Sequence, residues 1–202
     1  MKRLLFILSV LLAAIASLHA QPDERATVKE DIFGNIVVEY GNGKKVVIKE
    51  DIFGNKIVED ERGKRQTIKK DISDNTIIED GNGHKVTIRE DIFGSKIVED
   101  NEGNKRTIRK DIFDNTIIEY SNGLKVTVKD DIFGNTIVEE NTGFKVTIKE
   151  DIFDNIIVED SNGNKKTIGK YSDIDEPLDE WKARTREHLL RQILFERYRV
   201  VL

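Results

Sequence analysis

The sequence predicts an all-β fold: tandem 20-residue β-hairpin repeats forming an antiparallel meander, as a single-layer or barrel-like sheet, with a C-terminal amphipathic α-helix. Three observations lead there. Seven copies of one unit begin at Asp31, Asp51, Asp71, Asp91, Asp111, Asp131 and Asp151, and a fixed period of this kind marks a repeat architecture. Each copy holds two short β-rich stretches, such as Lys85–Glu90 and Lys96–Glu99, separated by turn residues, with neither the length nor the 3.6-residue spacing of a helix. After Lys170 the period stops and helical spacing takes over.

The chain opens with Lys2 and Arg3, an apolar run from Leu4 to Ala16 interrupted by Ser9, and then small residues. This is the layout of a secretory signal peptide. Residues 1–20 are therefore set apart from the fold, with cleavage expected between 16 and 20. The apolar run is shorter than the ~20 residues a bilayer core needs, so no membrane span is expected after cleavage. The remaining chain is read as a β-repeat domain over 21–170 and a linker with a capping helix over 171–202. Export to the periplasm, the cell surface or the medium follows as the expected localisation.

Losing Lys2 and Arg3 takes the net charge from −5 to −7. An acidic surface repels phosphate, which argues against nucleic acid as a partner and leaves a protein or a polysaccharide. With 35% charged and 38% apolar residues, the chain lacks the material for a thick core and is expected to fold as something thin or elongated. The chain has no cysteine, which excludes a disulfide framework.

The repeats reach Lys170, and Ala26–Glu30 matches the second half of a copy, so the array starts with a half repeat. Copy 51–70 shares 13 of 20 positions with copy 91–110 but only 9 with its neighbour 71–90, which suggests growth by copying pairs. One turn carries Asn82-Gly83 and its equivalents, read as a two-residue hairpin in which both residues tolerate positive φ. The other reads Phe113-Asp114-Asn115 or its Gly variant, read as a three-residue loop with Asp inside a type I turn and Asn or Gly in the left-handed position behind it.

A meander is preferred over the alternative, a parallel two-sheet β-solenoid with one coil per repeat. In a solenoid Glu39, Glu59, Glu79 and their successors would stack ~4.8 Å apart as a column of like charge. Counting outward from Asn82-Gly83 places Asp80 opposite Lys85, Ile78 opposite Thr87 and Ile77 opposite Ile88. Val86, Ile88 and Ile77 then share one face, and Lys85, Thr87 and Arg89 the other. The same count sets Asp60 against Arg65 and leaves Glu59 facing Gln66, on the more apolar side.

In the tail, an acidic residue before Pro177 is a good helix start. Trp181, Leu189, Leu190, Ile193, Leu194 and Tyr198 recur mostly at three- and four-residue steps. The first expectation is a cap over the apolar face or the last open edge of the sheet. The second makes Trp181, Leu190, Ile193, Leu194 and Tyr198 a candidate docking helix, with six Lys/Arg against four Asp/Glu over 178–202.

No catalytic residue stands out, and neither a cofactor nor a metal is assigned. His84 fills a slot held elsewhere by Lys44, Lys64, Asn104, Leu124, Phe144 and Asn164, read as exposed and unconstrained; His188 lies on the tail helix. Paired acids such as Glu150-Asp151 return copy after copy, whereas an enzyme site is singular. A calcium-dependent β-roll-like repeat protein is the alternative, but Gly163 is fourth from Asp160 where an EF-hand loop needs Gly at the sixth place. Phe33, Phe53, Phe93, Phe113, Phe133 and Phe153 form the candidate contact surface, with Ser73 as the exception. The competing expectation, and the preferred one, is that each Phe folds inward to close one end of the sheet. The function expected is a non-enzymatic structural or binding module at the cell surface or in the periplasm.

Overall fold

The computed structural model describes residues 26–41, 43–169 and 177–198. The signal peptide assigned to 1–20 and the linker at 171–176 lie outside the described residues. Fifteen antiparallel strands form one meander sheet in which hydrogen-bonded neighbours follow chain order. This is the meander and not the solenoid. The chain divides into two compact units, Met1–Lys105 and Arg106–Leu202.

The first unit contains β1 (Ala26–Glu30), β2 (Ile36–Tyr40), β3 (Lys45–Glu50), β4 (Lys56–Asp60), β5 (Arg65–Lys70), β6 (Thr76–Asp80), β7 (Lys85–Glu90) and β8 (Lys96–Asp100). The second contains β10 (Thr116–Tyr120), β11 (Lys125–Asp130), β12 (Thr136–Glu140), β13 (Lys145–Glu150), β14 (Ile156–Asp160) and β15 (Lys165–Ile168), with β9 (Lys105–Lys110) beginning at the division. A single helix, α1 (Leu178–Tyr198), follows β15 among the described residues.

Both kinds of turn are three-residue loops of one design. At Asp80 the backbone N–H donates to the carbonyl of His84, and Gly83 N–H donates back to the carbonyl of Asp80. At Asp51 the same two bonds join Asn55 and Gly54 to Asp51. This is a type I turn closed by a left-handed residue. That residue is Gly83 (φ 83°) in one kind of turn, and Gly54 (φ 80°) or Asp114 (φ 65°) in the other.

Three expectations are corrected here. In the Asn-Gly turns only the Gly is left-handed, since the non-Gly residues with positive φ among those described are Asp74, Asp114 and Asp154. In the Phe-Asp-Asn turns it is Asp, not Asn, that takes the left-handed place. The third loop residue moves the register by one. Glu79 pairs with Lys85, Ile78 with Val86, Ile77 with Thr87 and Thr76 with Ile88. A one-residue slip carries every side chain of a strand to the other face, so Ile77 lies with Thr87 and Arg89 and not with Val86 and Ile88.

The even-numbered strand residues thus make one face and the odd-numbered residues the other. In the first unit, Val38, Val46, Ile48 and Val58 on the even face form a buried cluster flanked by Tyr40 and Ile68. The odd face buries an aliphatic stripe of its own, Val37, Ile57 and Ile77. Ile57 stands between Lys49 on one neighbouring strand and Thr67 on the other. The Lys49 ammonium reaches past it to Glu59, at 2.8 Å. The lysine stem is held across the isoleucine while its charge stays in water. Glu59, left unexplained by the shifted register, is the anchor of this clamp and faces Arg65 across the turn.

In the second unit α1 lies on the even face. Leu194 and Tyr198 pack with Ile118, Val126, Val128, Val138 and Val146, while Trp181 and Leu189 pack with Ile148 and Ile156. Polar contacts fix both ends of the helix. Lys182 bonds Asp154 at 2.6 Å and Glu150 at 3.1 Å. At the other end Arg197 Nε and Tyr198 O–H donate to Glu140 Oε1 at 2.7 and 2.9 Å. Tyr120 O–H donates to the Tyr198 carbonyl at 2.8 Å, and the Arg197 guanidinium lies 3.6 Å from the centre of the Phe144 ring. Trp181, Leu189, Leu194 and Tyr198 are thus buried against the sheet, with Leu190 and Ile193 half-buried beside them.

Two outcomes follow from this packing. Gly54→Ala should lower stability by about 1 kcal/mol through left-handed backbone strain alone, because an added Cβ there meets nothing within 4 Å. Gly54→Asp should cost less, as Asp74, Asp114 and Asp154 already hold that place; thermal melting of the two variants distinguishes them. Leu194 is fully buried between helix and sheet, so Leu194→Ala should cost about 2–5 kcal/mol. Denaturant unfolding followed by far-UV circular dichroism reads that loss.

Candidate functional site

The turns beginning at Asp31, Asp51, Asp71 and Asp91 all lie at one end of the strands in the first unit, and those at Asp111, Asp131 and Asp151 at one end in the second. Within a unit, successive tips are ~10 Å apart, two strand spacings. The two loop residues at each tip are Ile and Phe, with Ser73 in place of one Phe.

The side chain of the leading Asp builds the tip. Asp51 Oδ1 accepts the N–H of Phe53 and the N–H of Asn55, both at 2.9 Å, and Oδ2 accepts the Asn55 side-chain amide at 2.9 Å. Asp111 makes the same three bonds to Phe113 and Asn115, at 2.8–3.0 Å. At Asp91 the residue behind the loop is Ser95, whose backbone N–H is bonded at 2.9 Å. These bonds hold the carboxylates below the usual aspartate range. At Asp51, Asp71, Asp111, Asp131 and Asp151 the side-chain amide of the Asn is the largest cause; at Asp91 it is the Ser95 N–H.

The loop backbone directs Ile and Phe away from the sheet. The seven isoleucines, Ile32 to Ile152, are 90–107% exposed, and the six phenylalanines 76–85% exposed. Inward folding of the Phe series is thereby corrected. The loop is too short to let its first two residues turn back over the sheet, because both are central residues of the type I turn. The six Phe residues are joined by seven Ile residues that the sequence reading passed over. Ile stands beside Phe or Ser73 in every copy, and that regularity was visible in the sequence.

The acids of the opposite turns have the same duty. Asp60 Oδ1 accepts the N–H groups of Arg62 and Lys64, so it caps its own loop and does not pair with Arg65. Asp80 and Asp160 do likewise for their loops through Oδ1. His84 and His188 are both exposed. The slot of His84 is not unconstrained throughout: Leu124 and Phe144 pack under α1. These two, with Glu140 in a position held by Asp or Tyr elsewhere, mark where the helix seats. An apolar side chain in an otherwise polar column was the available signal. Burial opposes ionisation of Glu140, but hydrogen bonds from Thr142, Arg197 and Tyr198 outweigh it and lower its pKa. Burial pushes the Tyr120 hydroxyl up to about 12.

No protein-family model and no curated protein matches the chain. Among solved structures it is similar to the TCP10c domain of Drosophila melanogaster Sas-4, at 14% identity over 72% of this chain and 100% of that one, with a TM-score of 0.20. It is also similar to the Drosophila SAS-4 TCP domain in complex with a proline-rich motif of Ana2, at 14% identity, 75% and 96% coverage and a TM-score of 0.22. A third is the TCP10 domain of Danio rerio CPAP in complex with a peptide of STIL, at 14% identity, 73% and 100% coverage and a TM-score of 0.17. Scores of this size carry no argument about partner or activity.

The aspartate caps predict an acid response. Their folded pKa lies below the unfolded value of about 3.9, so the ionised form contributes its stability in full above that pH and loses it as pH falls through the folded value. Melting temperature should be level from pH 7 to 5 and fall below about pH 4. Asp131→Asn keeps an acceptor oxygen but no charge. It should melt lower than the parent at pH 7, by a margin that narrows at pH 3.

Proposed function

We propose that the chain is an exported, non-enzymatic β-repeat protein that acts as a binding module at the cell surface or in the periplasm. The observation that carries the reading is the border of bare Ile-Phe tips in each unit. Contiguous or repeated exposed apolar groups mark interaction sites on proteins that otherwise hide them. Every other recurrent feature serves the fold itself, with Asp capping turns, Glu and Lys clamping the odd face, and Val and Ile filling the even face. Among the described residues, the tip Ile and Phe side chains have no partner of comparable weight. Export rests on the basic, apolar and small-residue layout of residues 1–20, and repetition without a singular acid–base or nucleophile arrangement supports a module without chemistry of its own.

Tip residues can be replaced without disturbing the turn, as Ser73 demonstrates within the array. The variant Phe93→Ser, Phe113→Ser, Phe133→Ser should melt like the parent yet lose most of its adsorption to fixed cells or isolated envelopes, read by flow cytometry or sedimentation. Equal adsorption by the two proteins would remove the tips from the binding surface, and a collapsed melting temperature would return the Phe series to a structural role.

A further inference from the structure

Resting on that reading, we propose that the partner of the Ile-Phe borders is a lipid interface of neutral, zwitterionic character, into whose headgroup layer the tips insert as separate wedges. Four observations favour lipid over a glycan or a protein. First, where the aromatic ring is missing, at Ser73, the aliphatic residue beside it remains and is fully exposed: Ile72 at 107%. What every tip shares is apolar volume and not a ring face, and stacking on a sugar needs the ring face. Second, the tips are discrete. They stand ~10 Å apart, divided by charged residues at their feet, such as Lys110 beside Asp114 and the Lys56–Glu50 pair. A rigid protein partner would need one pit for each tip, whereas fluid lipid closes around each independently.

Third, two of the three N–H groups in each loop are already used. Phe53 N–H goes to Asp51 Oδ1 and Gly54 N–H to the Asp51 carbonyl, with equivalents at the other tips. Unsatisfied backbone groups are what excludes irregular chain from an apolar medium, and these loops bring fewer of them into the interface. Fourth, the feet carry no cationic excess: charge cancels around the tips of Asp51, Asp71, Asp91 and Asp111 and is net acidic around those of Asp31, Asp131 and Asp151. Around one tip Lys49 and Lys56 balance Glu50 and Asp51, and around another Arg109 and Lys110 balance Asp111 and Asp114. Attraction to anionic lipid requires a cationic excess, so the surface fits a neutral bilayer held by apolar insertion.

Flotation of the full chain with phosphatidylcholine vesicles tests this. The parent should float with them, with an affinity insensitive to salt, and Phe93→Ser, Phe113→Ser, Phe133→Ser should reduce the bound fraction about tenfold or more. A single Phe133→Trp variant should show a blue-shifted emission on vesicle addition and quenching by brominated lipid, above the constant signal of the buried Trp181. This variant keeps the proposal open to refutation should the triple variant fail to fold. Flotation of the triple variant equal to the parent would show vesicles held by another part of the chain and overturn the proposal. So would a Phe133→Trp variant whose added fluorescence is not quenched, or binding confined to phosphatidylglycerol vesicles and lost in salt. Envelope adsorption that depends on the tips, combined with no vesicle binding, would overturn the lipid proposal while leaving the contact-surface reading intact, with a protein or a glycan as the partner.

Discussion

The three-residue loop, closed by a left-handed residue and in most turns by a carboxylate that accepts its own chain's N–H groups, is the constraint on which the rest of the structure depends. It forms with the same two backbone bonds at Tyr40 and Tyr120, where no carboxylate stands, and its length sets which strand residue meets which. With three loop residues, the numbers of two paired residues always share parity, so one set of side chains holds the even face from strand to strand within a unit. Two loop residues would have reversed the faces at alternate strands. Asp51 and Asp60 therefore act on the fold through their turns, and neither belongs to a deep core.

Fixed parity explains how a highly charged chain buries enough apolar surface. The even face concentrates Val and Ile into a continuous stripe, which the second unit covers with α1. The odd face spreads a thinner stripe of single isoleucines and roofs each with the stem of a lysine or arginine. The roof is held by a diagonal ion pair, as in Lys29–Glu39, Lys69–Glu79 and Lys149–Glu159 at 2.6–2.8 Å. Half-exposed pairs of this kind contribute little individually, about 0–1 kcal/mol. Their larger effect is positional, since a lysine stem aimed elsewhere would leave Ile57 or Ile157 open to water. The recurrence of Glu along the array, which argued against a solenoid because of repulsion, becomes in the meander a series of anchors each facing its own cation.

Much of this was legible in the sequence and some was not, for identifiable reasons. The meander, the strand lengths and the capping helix follow from the 20-residue period and from where it fails. The register was misread because Asn-Gly is the strongest signal for a two-residue hairpin, yet Arg62, Glu102 and Thr142 fill the Asn place in other copies. Arg, Glu and Thr are poor residues for positive φ, so those three copies already pointed to a turn with only its Gly left-handed. The outward Phe series was named as a candidate contact surface but ranked second, because the general rule that large apolar residues are buried was applied to residues whose place in the loop overrode it. The seat of α1 could have been found from Leu124, Phe144 and Glu140, which break their columns together.

The same comparison between columns bears on what the array is for. Copies as alike as 51–70 and 91–110 still differ at seven of 20 positions, so the repeats have had opportunity to drift. The column of His84, largely exposed, has drifted through Lys, Asn, Leu and Phe. The column of Ile92 is as exposed as any among the described residues and has not changed in seven copies. Water alone gives no reason to keep an isoleucine at a tip, and loop geometry gives none either, since the second residue of a type I turn accepts most side chains. Internal packing and turn chemistry account for the other invariant columns, of Asp, Gly and Glu. They do not account for this one, which is the column that the proposed contact at the tips requires.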